Sequence, residues 1–224
     1  MRLSVCALVL CLALPASAAA QDTVDQQFWL QILATIRLSE NWRLHLEEWP
    51  RFSQDQDGAF QVITRAALGR RLSPRVTAWG GYAWIAKPPG PGVTHEHRIW
   101  EQLSATFPSA ARWTPSLRLR LEQRFQDTWS DSSHRLRIMG RAVRPFDDRA
   151  RWSFAGWDEL LVTLDDTETG PAQGVDQNRL FAGVLRQFSP KVGLEVGYLW
   201  VTSDPPTGPR THAHNLFVWL NLTP

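Results

Sequence analysis

Cysteine is almost missing: the 224-residue chain holds two, Cys6 and Cys11, and both lie near its start. They fall in an apolar run from Val5 to Leu14, preceded by Arg2 and followed by Pro15 and the small-residue tail ASAAAQD. That is the three-part layout of a secretory signal peptide, with cleavage expected after Ala20. A lipoprotein cut before Cys11 is disfavoured, because Leu10 stands where a small residue is needed. The expected mature chain, 21–224, has no thiol, which excludes a disulfide-held fold, thiol catalysis and a zinc–cysteine site.

Long apolar runs are also absent after the signal; nothing approaches the roughly 20 residues of a transmembrane helix. Lysine is scarce, with only Lys87 and Lys191 among 24 basic residues, which leaves 22 arginines (24 − 2). Against 22 acidic residues this gives no field that would draw in nucleic acid. No segment has a helical period. There is no phosphate-cradling glycine loop, no H-E-x-x-H and no calcium loop. The acidic TLDDTETGPAQGVD lacks the alternating ligand spacing and closing Glu of such a loop, and no cofactor is implied.

What is present is alternation with a period of two. In SLRLRLEQRF, Leu117, Leu119, Leu121 and Phe125 share one face, and Arg118, Arg120, Glu122 and Arg124 the other. Equivalent patterns begin at Phe28, Trp42, Phe60, Val76, Glu96, Arg135, Trp152, Gln177, Val192 and Asn215, making eleven candidate strands. Tight turns near Asn41, Pro74, Ser109, Asp148 and Pro190 alternate with longer polar loops such as KPPGPGVT and SDPPTGPRT. This predicts an all-β fold: one up-and-down antiparallel barrel of about 10–12 strands over residues 21–224, of the transmembrane, outer-membrane type.

A soluble barrel would bury the leucines and expose the arginines. The inverted reading rests on three features. Trp42, Trp113 and Trp152 follow tight turns, while Tyr82, Trp84, Tyr198 and Trp200 precede long loops, as two interfacial girdles require. Apolar faces of about seven to nine residues match the roughly 25 Å apolar band of such barrels. The charged face carries both signs. Two features fit less well. Eleven strands break the even count of bacterial barrels, implying an unmarked strand near 21–27, a first segment in the lumen, or one false strand. Glu101 and Asp158 fall on the outward face, and a β-bulge near each is expected to turn them inward.

The charged face forms the candidate lumen: Arg43, Glu47, Arg65, Arg98, Arg118, Arg120, Glu122, Arg124, Arg135, Arg137, Arg141, Glu159, Arg179 and Glu195. Guanidinium forks bind carboxylates bidentately and stay charged at any physiological pH. The set supports either a path for small polar or anionic solutes or a lumen filled and cross-linked by ion pairs. Two His-x-His pairs, His95/His97 and His212/His214, have the chemistry of metal ligands. Their parity places them outward at the rim, and no metal site is assigned. Ser133 with His134, and Ser203 with Asp204 and His212, are the only approaches to a hydrolytic triad. Sequence neighbours on a strand point to opposite faces, and no catalytic residue is assigned.

LEEWPRF, EHRIWEQL, LRLRLEQRF, HRLRIMGRAVRPF and QNRLFAGV resemble the recurring Arg/Glu strands of the bacterial family of domain of unknown function 2490, from about Trp29 to the C-terminus. The resemblance implies an exported β-barrel-like protein and carries no activity. The expected location is the outer membrane of a Gram-negative bacterium. The expected partners are outer-membrane lipid, the barrel-assembly machinery during biogenesis and, if any, a small solute. The role is structural or solute passage and not enzymatic. The alternatives are an outer-membrane lipid-modifying enzyme and a soluble periplasmic β-barrel binding module.

Overall fold

The period-two pattern folds into eleven strands that close on themselves with no free edge. The computed structural model describes residues 22–88, 93–205 and 209–224. The expected signal segment and parts of the KPPGPGVT and SDPPTGPRT loops lie outside the described residues. In chain order the strands are β1 (Thr23–Arg37), β2 (Trp42–Ser53), β3 (Gly58–Ser73), β4 (Val76–Lys87), β5 (Thr94–Thr106), β6 (Thr114–Gln126), β7 (Ser133–Pro145), β8 (Trp152–Thr163), β9 (Gly174–Ser189), β10 (Val192–Ser203) and β11 (Thr211–Leu222).

Every sequential pair is antiparallel, and the barrel closes by parallel pairing of β1 with β11, from Thr23 opposite Thr211 to Ala34 opposite Leu222. This resolves the odd count. No strand is false, the first segment is not in the lumen, and residues from Thr23 onward simply lengthen β1. With an odd number of strands the first and last run in the same direction, so closure must be parallel. Consequently β1 begins at the end where 54–57, 164–173 and 204–210 connect strands. The loops separate by length less cleanly than the sequence predicts: 74–75 and 190–191 are two-residue turns, yet 107–113 and 146–151 at the same end rival the loops opposite.

The two faces have opposite chemistry. Outward stand Leu46, Leu68, Ile99, Leu103, Leu119, Leu180, Val196 and Leu216, all exposed. Trp42, Trp113 and Trp152 are exposed at the short-turn end, and Tyr82, Trp84, Tyr198 and Trp200 at the other. Inward stand the buried charged residues together with Trp29, Trp49, Trp100, Trp157, Phe181 and Phe217. Inward glycines make room for these rings. A Cβ on Gly81 would strike the Trp100 ring, and one on Gly183 or Gly197, paired across β9 and β10, would strike Phe181.

No bulge turns either carboxylate inward; the register shift at Leu161/Val162, three residues from Asp158, leaves its facing unchanged. Glu101 pairs regularly with Gly80 and Leu121, and Asp158 with Gly140 and Leu180. Both remain on the outward face, each bonded by a neighbouring amide: Gln123 Nε2 donates to Glu101 at 3.0 Å, and Asn178 Nδ2 to Asp158 at 3.2 Å. A cross-strand amide satisfies each carboxylate without a change of phase, which is why no bulge is needed. Register shifts occur instead at Arg51/Phe52, Arg71/Ser73, Leu161/Val162 and Val192/Gly193.

Candidate functional site

Alternation aims one residue in two at the barrel axis, so neighbouring charged strands deliver a connected interior network. Glu47, Arg65, Arg98, Arg120, Glu122, Arg124, Arg135, Arg137, Glu159, Arg179 and Glu195 are all buried there; Arg43 and Arg118 are half-buried at the same face. Glu122 is the hub. It accepts from Arg137 Nη1 at 2.8 Å and from Arg135 Nη2 at 2.7 Å, with Arg98 Nη1 at 3.5 Å. Glu159 takes the fork of Arg137 at 3.0 and 2.8 Å and the Nη2 of Arg118 at 2.6 Å. Arg141 grips Glu195 from across the lumen with both Nη atoms, and Arg65 bonds Glu47.

Sequence reasoning missed Glu96 and Arg51. Glu96 lies at the strand start, where parity alone marks it; it is fully buried and bound by Arg98 at 2.8 Å and Arg124 at 2.7 Å. Arg51 follows Pro50, where alternation is hardest to follow, yet it continues the inward series of Glu47 and Trp49.

The interior is not one channel. A cavity of about 280 Å³ opens towards the long-loop end, lined among others by Trp29, Arg51, Arg124 and Arg179. A second, of about 290 Å³, lies towards the short-turn end, lined by His45, Thr77, Trp79, Gln102, Ser104, Arg118, Arg141 and Trp219 among others. Between them lies a void of only about 20 Å³, walled by Glu47, Trp49, Arg65, Arg137, Trp157, Glu159 and Phe217 among others. That is room for about one water. The plug is half ionic and half aromatic, with Trp157, Phe181 and Phe217 mutually packed at 5.2–5.9 Å between ring centroids.

The family profile described as "Protein of unknown function (DUF2490)" matches residues 26–212. The chain belongs to this family. It is also 30% identical, over 193 residues, to an uncharacterized protein of Methylorubrum extorquens, covering 85% of this chain and 84% of that one. No solved structure matches it.

In this DUF2490 chain the four histidines are not brought together. His95 stacks on Trp84 and His212 lies tilted against Trp200, with centroids 5.3 and 5.9 Å apart. His97 lies 2.5 Å from the Tyr82 hydroxyl through Nδ1, and His214 bonds Tyr198 in the same way. The chain's two tyrosines thus make the same rim contact on β4/β5 and on β10/β11, which lie on opposite sides of the ring. Among the described residues no cluster of three metal-ligating side chains occurs.

Ser133 and His134 both address Asp165 rather than each other: the serine hydroxyl at 3.4 Å and the imidazole Nδ1 at 2.5 Å. Ser203 accepts from Gln177 and Asp204 is held by Arg210, while His212 faces Thr202 and Asp22. Neither group has the serine–histidine bond that activates a hydroxyl.

Proposed function

We propose that this DUF2490 protein is an outer-membrane β-barrel with a closed lumen and a structural role, embedded in lipid and inserted by the barrel-assembly machinery. The observation that carries the reading is its inverted polarity: large apolar side chains stand outward on strand after strand while the charges face the axis. An exposed apolar band that encircles the molecule far exceeds the few hundred Å² that water-soluble monomers tolerate. The exposed aromatics at both ends support the same reading, because indole and phenol rings favour the headgroup level. The outward Glu48, Glu101 and Asp158 oppose it, and their partners Thr64, Gln123 and Asn178 reduce the cost of placing them there. The role includes no catalytic step.

The test is expression of the full chain followed by fractionation and detergent extraction. The reading expects the mature protein in the outer-membrane fraction, soluble only with detergent. A mature chain that remains monomeric in detergent-free buffer contradicts it.

A second reading, passage of small anionic solutes, is favoured by the surplus of arginine over carboxylate around the long-loop cavity. It requires the layer of Arg65, Arg137 and Glu159 to move, because that layer separates the two cavities.

A further inference from the structure

Eight cationic side chains line the cavity at the long-loop end, and Asp176 is the one carboxylate at its surface. Counting also the carboxylates behind them that form ion pairs (Glu47, Glu96, Glu122 and Glu159) gives five, which leaves at least three positive charges unbalanced (8 − 5). Asp25, another carboxylate at this end, is bonded by Ser53 and Gln27 and forms no ion pair with these cations.

The surplus concentrates on Arg51. Arg51 is only 6% exposed and makes no ion pair among the described residues. Nη1 donates to the neutral Gln61 Oε1 at 2.8 Å, and Nε has no acceptor. The group lies between two indoles, 3.8 Å from the Trp29 centroid and 4.0 Å from that of Trp49. Arg65 and Arg179 approach the same Trp49 ring at 5.4 and 6.0 Å, so three guanidiniums surround one indole. Arg65 Nε and Nη2 are also without acceptors.

Several other arginines of this lumen are matched to carboxylates, as Arg137 with Glu159 and Arg141 with Glu195, although Arg43 forms no ion pair among the described residues. A buried charge without a counter-ion is strongly unfavourable, and buried donors are nearly always satisfied. Cation–π contact offsets part of that but supplies no hydrogen-bond acceptor. The local backbone serves the same site. Arg51 pairs with Gln61 and Phe52 with Ala59, so Phe60 is an extra residue in β3, and both Phe60 and Gln61 reach the cavity wall.

From this geometry we infer a binding site for a small oxyanion, phosphate or carboxylate, held by the guanidiniums of Arg51, Arg65 and Arg179 that line the cavity. Guanidinium forks suit both anions. A volume of about 280 Å³ lies just under the roughly 300 Å³ at which pockets for drug-sized ligands begin, which fits a metabolite-sized anion. The site rests on the lumen being closed beneath it, and it exists whether the barrel's outer face meets lipid or water.

The test is calorimetric titration of the refolded mature chain in detergent with sodium phosphate, and separately with succinate, at an ionic strength fixed by sodium chloride. Saturable binding of one anion per chain is expected, and the tighter of the two probes assigns the oxyanion class. Arg51→Gln is expected to weaken binding about tenfold or more, the scale of one charged hydrogen bond. Lys191→Gln removes the same charge from an exposed turn and leaves binding unchanged. If Arg51→Gln does not fold, Gln61→Glu offers Arg51 an internal carboxylate and is expected to abolish binding while raising the thermal midpoint. Absence of binding by both probes overturns the site, as does wild-type affinity in Arg51→Gln or Gln61→Glu. Conductance, measured separately, tests closure alone.

Discussion

Arg137 and Glu159 meet fork to fork near the middle of the barrel, with Nε and Nη2 donating to the two carboxylate oxygens at 3.0 and 2.8 Å. Both are almost wholly buried, and the third guanidinium nitrogen, Nη1, reaches Glu122. This junction joins the two ionic hubs and separates the two cavities.

Removing one partner of such a pair leaves a buried charge uncompensated, at a cost of about 3–5 kcal/mol. Glu159→Gln is therefore expected to lower unfolding free energy by that order, measured by guanidinium titration in detergent. Replacing Arg137 and Glu159 together by apolar residues of similar volume should cost less than the sum of the two single changes, because neither charge faces the other's vacancy, although Arg118 loses an acceptor and Glu122 a donor.

Closure has its own electrical signature. Wild-type protein in planar bilayers is expected to give no conductance steps, since the space between the cavities holds about one water. Steady stepwise conductance in the wild type would favour the solute-passage reading.

The turn between β5 and β6 offers a gain in stability. Ala110 and Trp113 exchange backbone hydrogen bonds at 2.9 Å around Ala111 and Arg112, whose φ values are 50° and 67°. Two consecutive left-handed residues are the requirement of a type I′ turn, usually met by Asn-Gly. Ala111→Asn should stabilise the barrel by about 0.5–1 kcal/mol, read as a rise in thermal midpoint. The opposite sign is expected where β9 and β10 approach closely. Gly197→Ala would press against the Ala182 carbonyl and the Gly183 backbone and should cost roughly 1–3 kcal/mol.

Acid should loosen the β7–β8 turn. Asp147, in the β7–β8 turn, accepts from the backbone N–H of Trp152 at 2.8 Å and of Arg151 at 3.1 Å, and the Trp152 bond holds its carboxyl below the ordinary value of 3.8. A depressed carboxyl contributes ordering that is present above pH 3.8 and disappears as pH falls through its folded value. Proteolytic nicking or backbone resonances of 146–151 should report this change, and Asp147→Asn should shift it. An unchanged profile in the variant would separate the turn from that carboxyl.

The fold was legible because alternation is a local property: each of β1 to β11 carries it in its own residues. Facing was legible too, not from alternation alone but from Trp42, Trp113 and Trp152 after tight turns and Tyr82, Trp84, Tyr198 and Trp200 before long loops. Parallel closure was not, since it depends on how residues about 190 positions apart pair, and no single strand encodes that. Nor was the plug. The inward aromatics Trp29, Trp49, Trp157, Phe181 and Phe217 come from five strands and look like ordinary members of an apolar pattern until the ring closes. Glu101 and Asp158 showed their true parity, and a bulge was expected only because the amides of Gln123 and Asn178 lie on other strands.

The central claim is that the apolar outer face meets lipid while the charged axis does not. Because the expected mature chain has no cysteine, single cysteines can carry a nitroxide label without background. Leu119 lies outward in the middle of β6, and Asp131 lies in the exposed 127–132 loop. In liposomes, the label at Leu119→Cys should collide readily with oxygen and hardly at all with a water-soluble nickel chelate, while the label at Asp131→Cys shows the reverse. Equal access of the nickel chelate to both positions would contradict the membrane barrel.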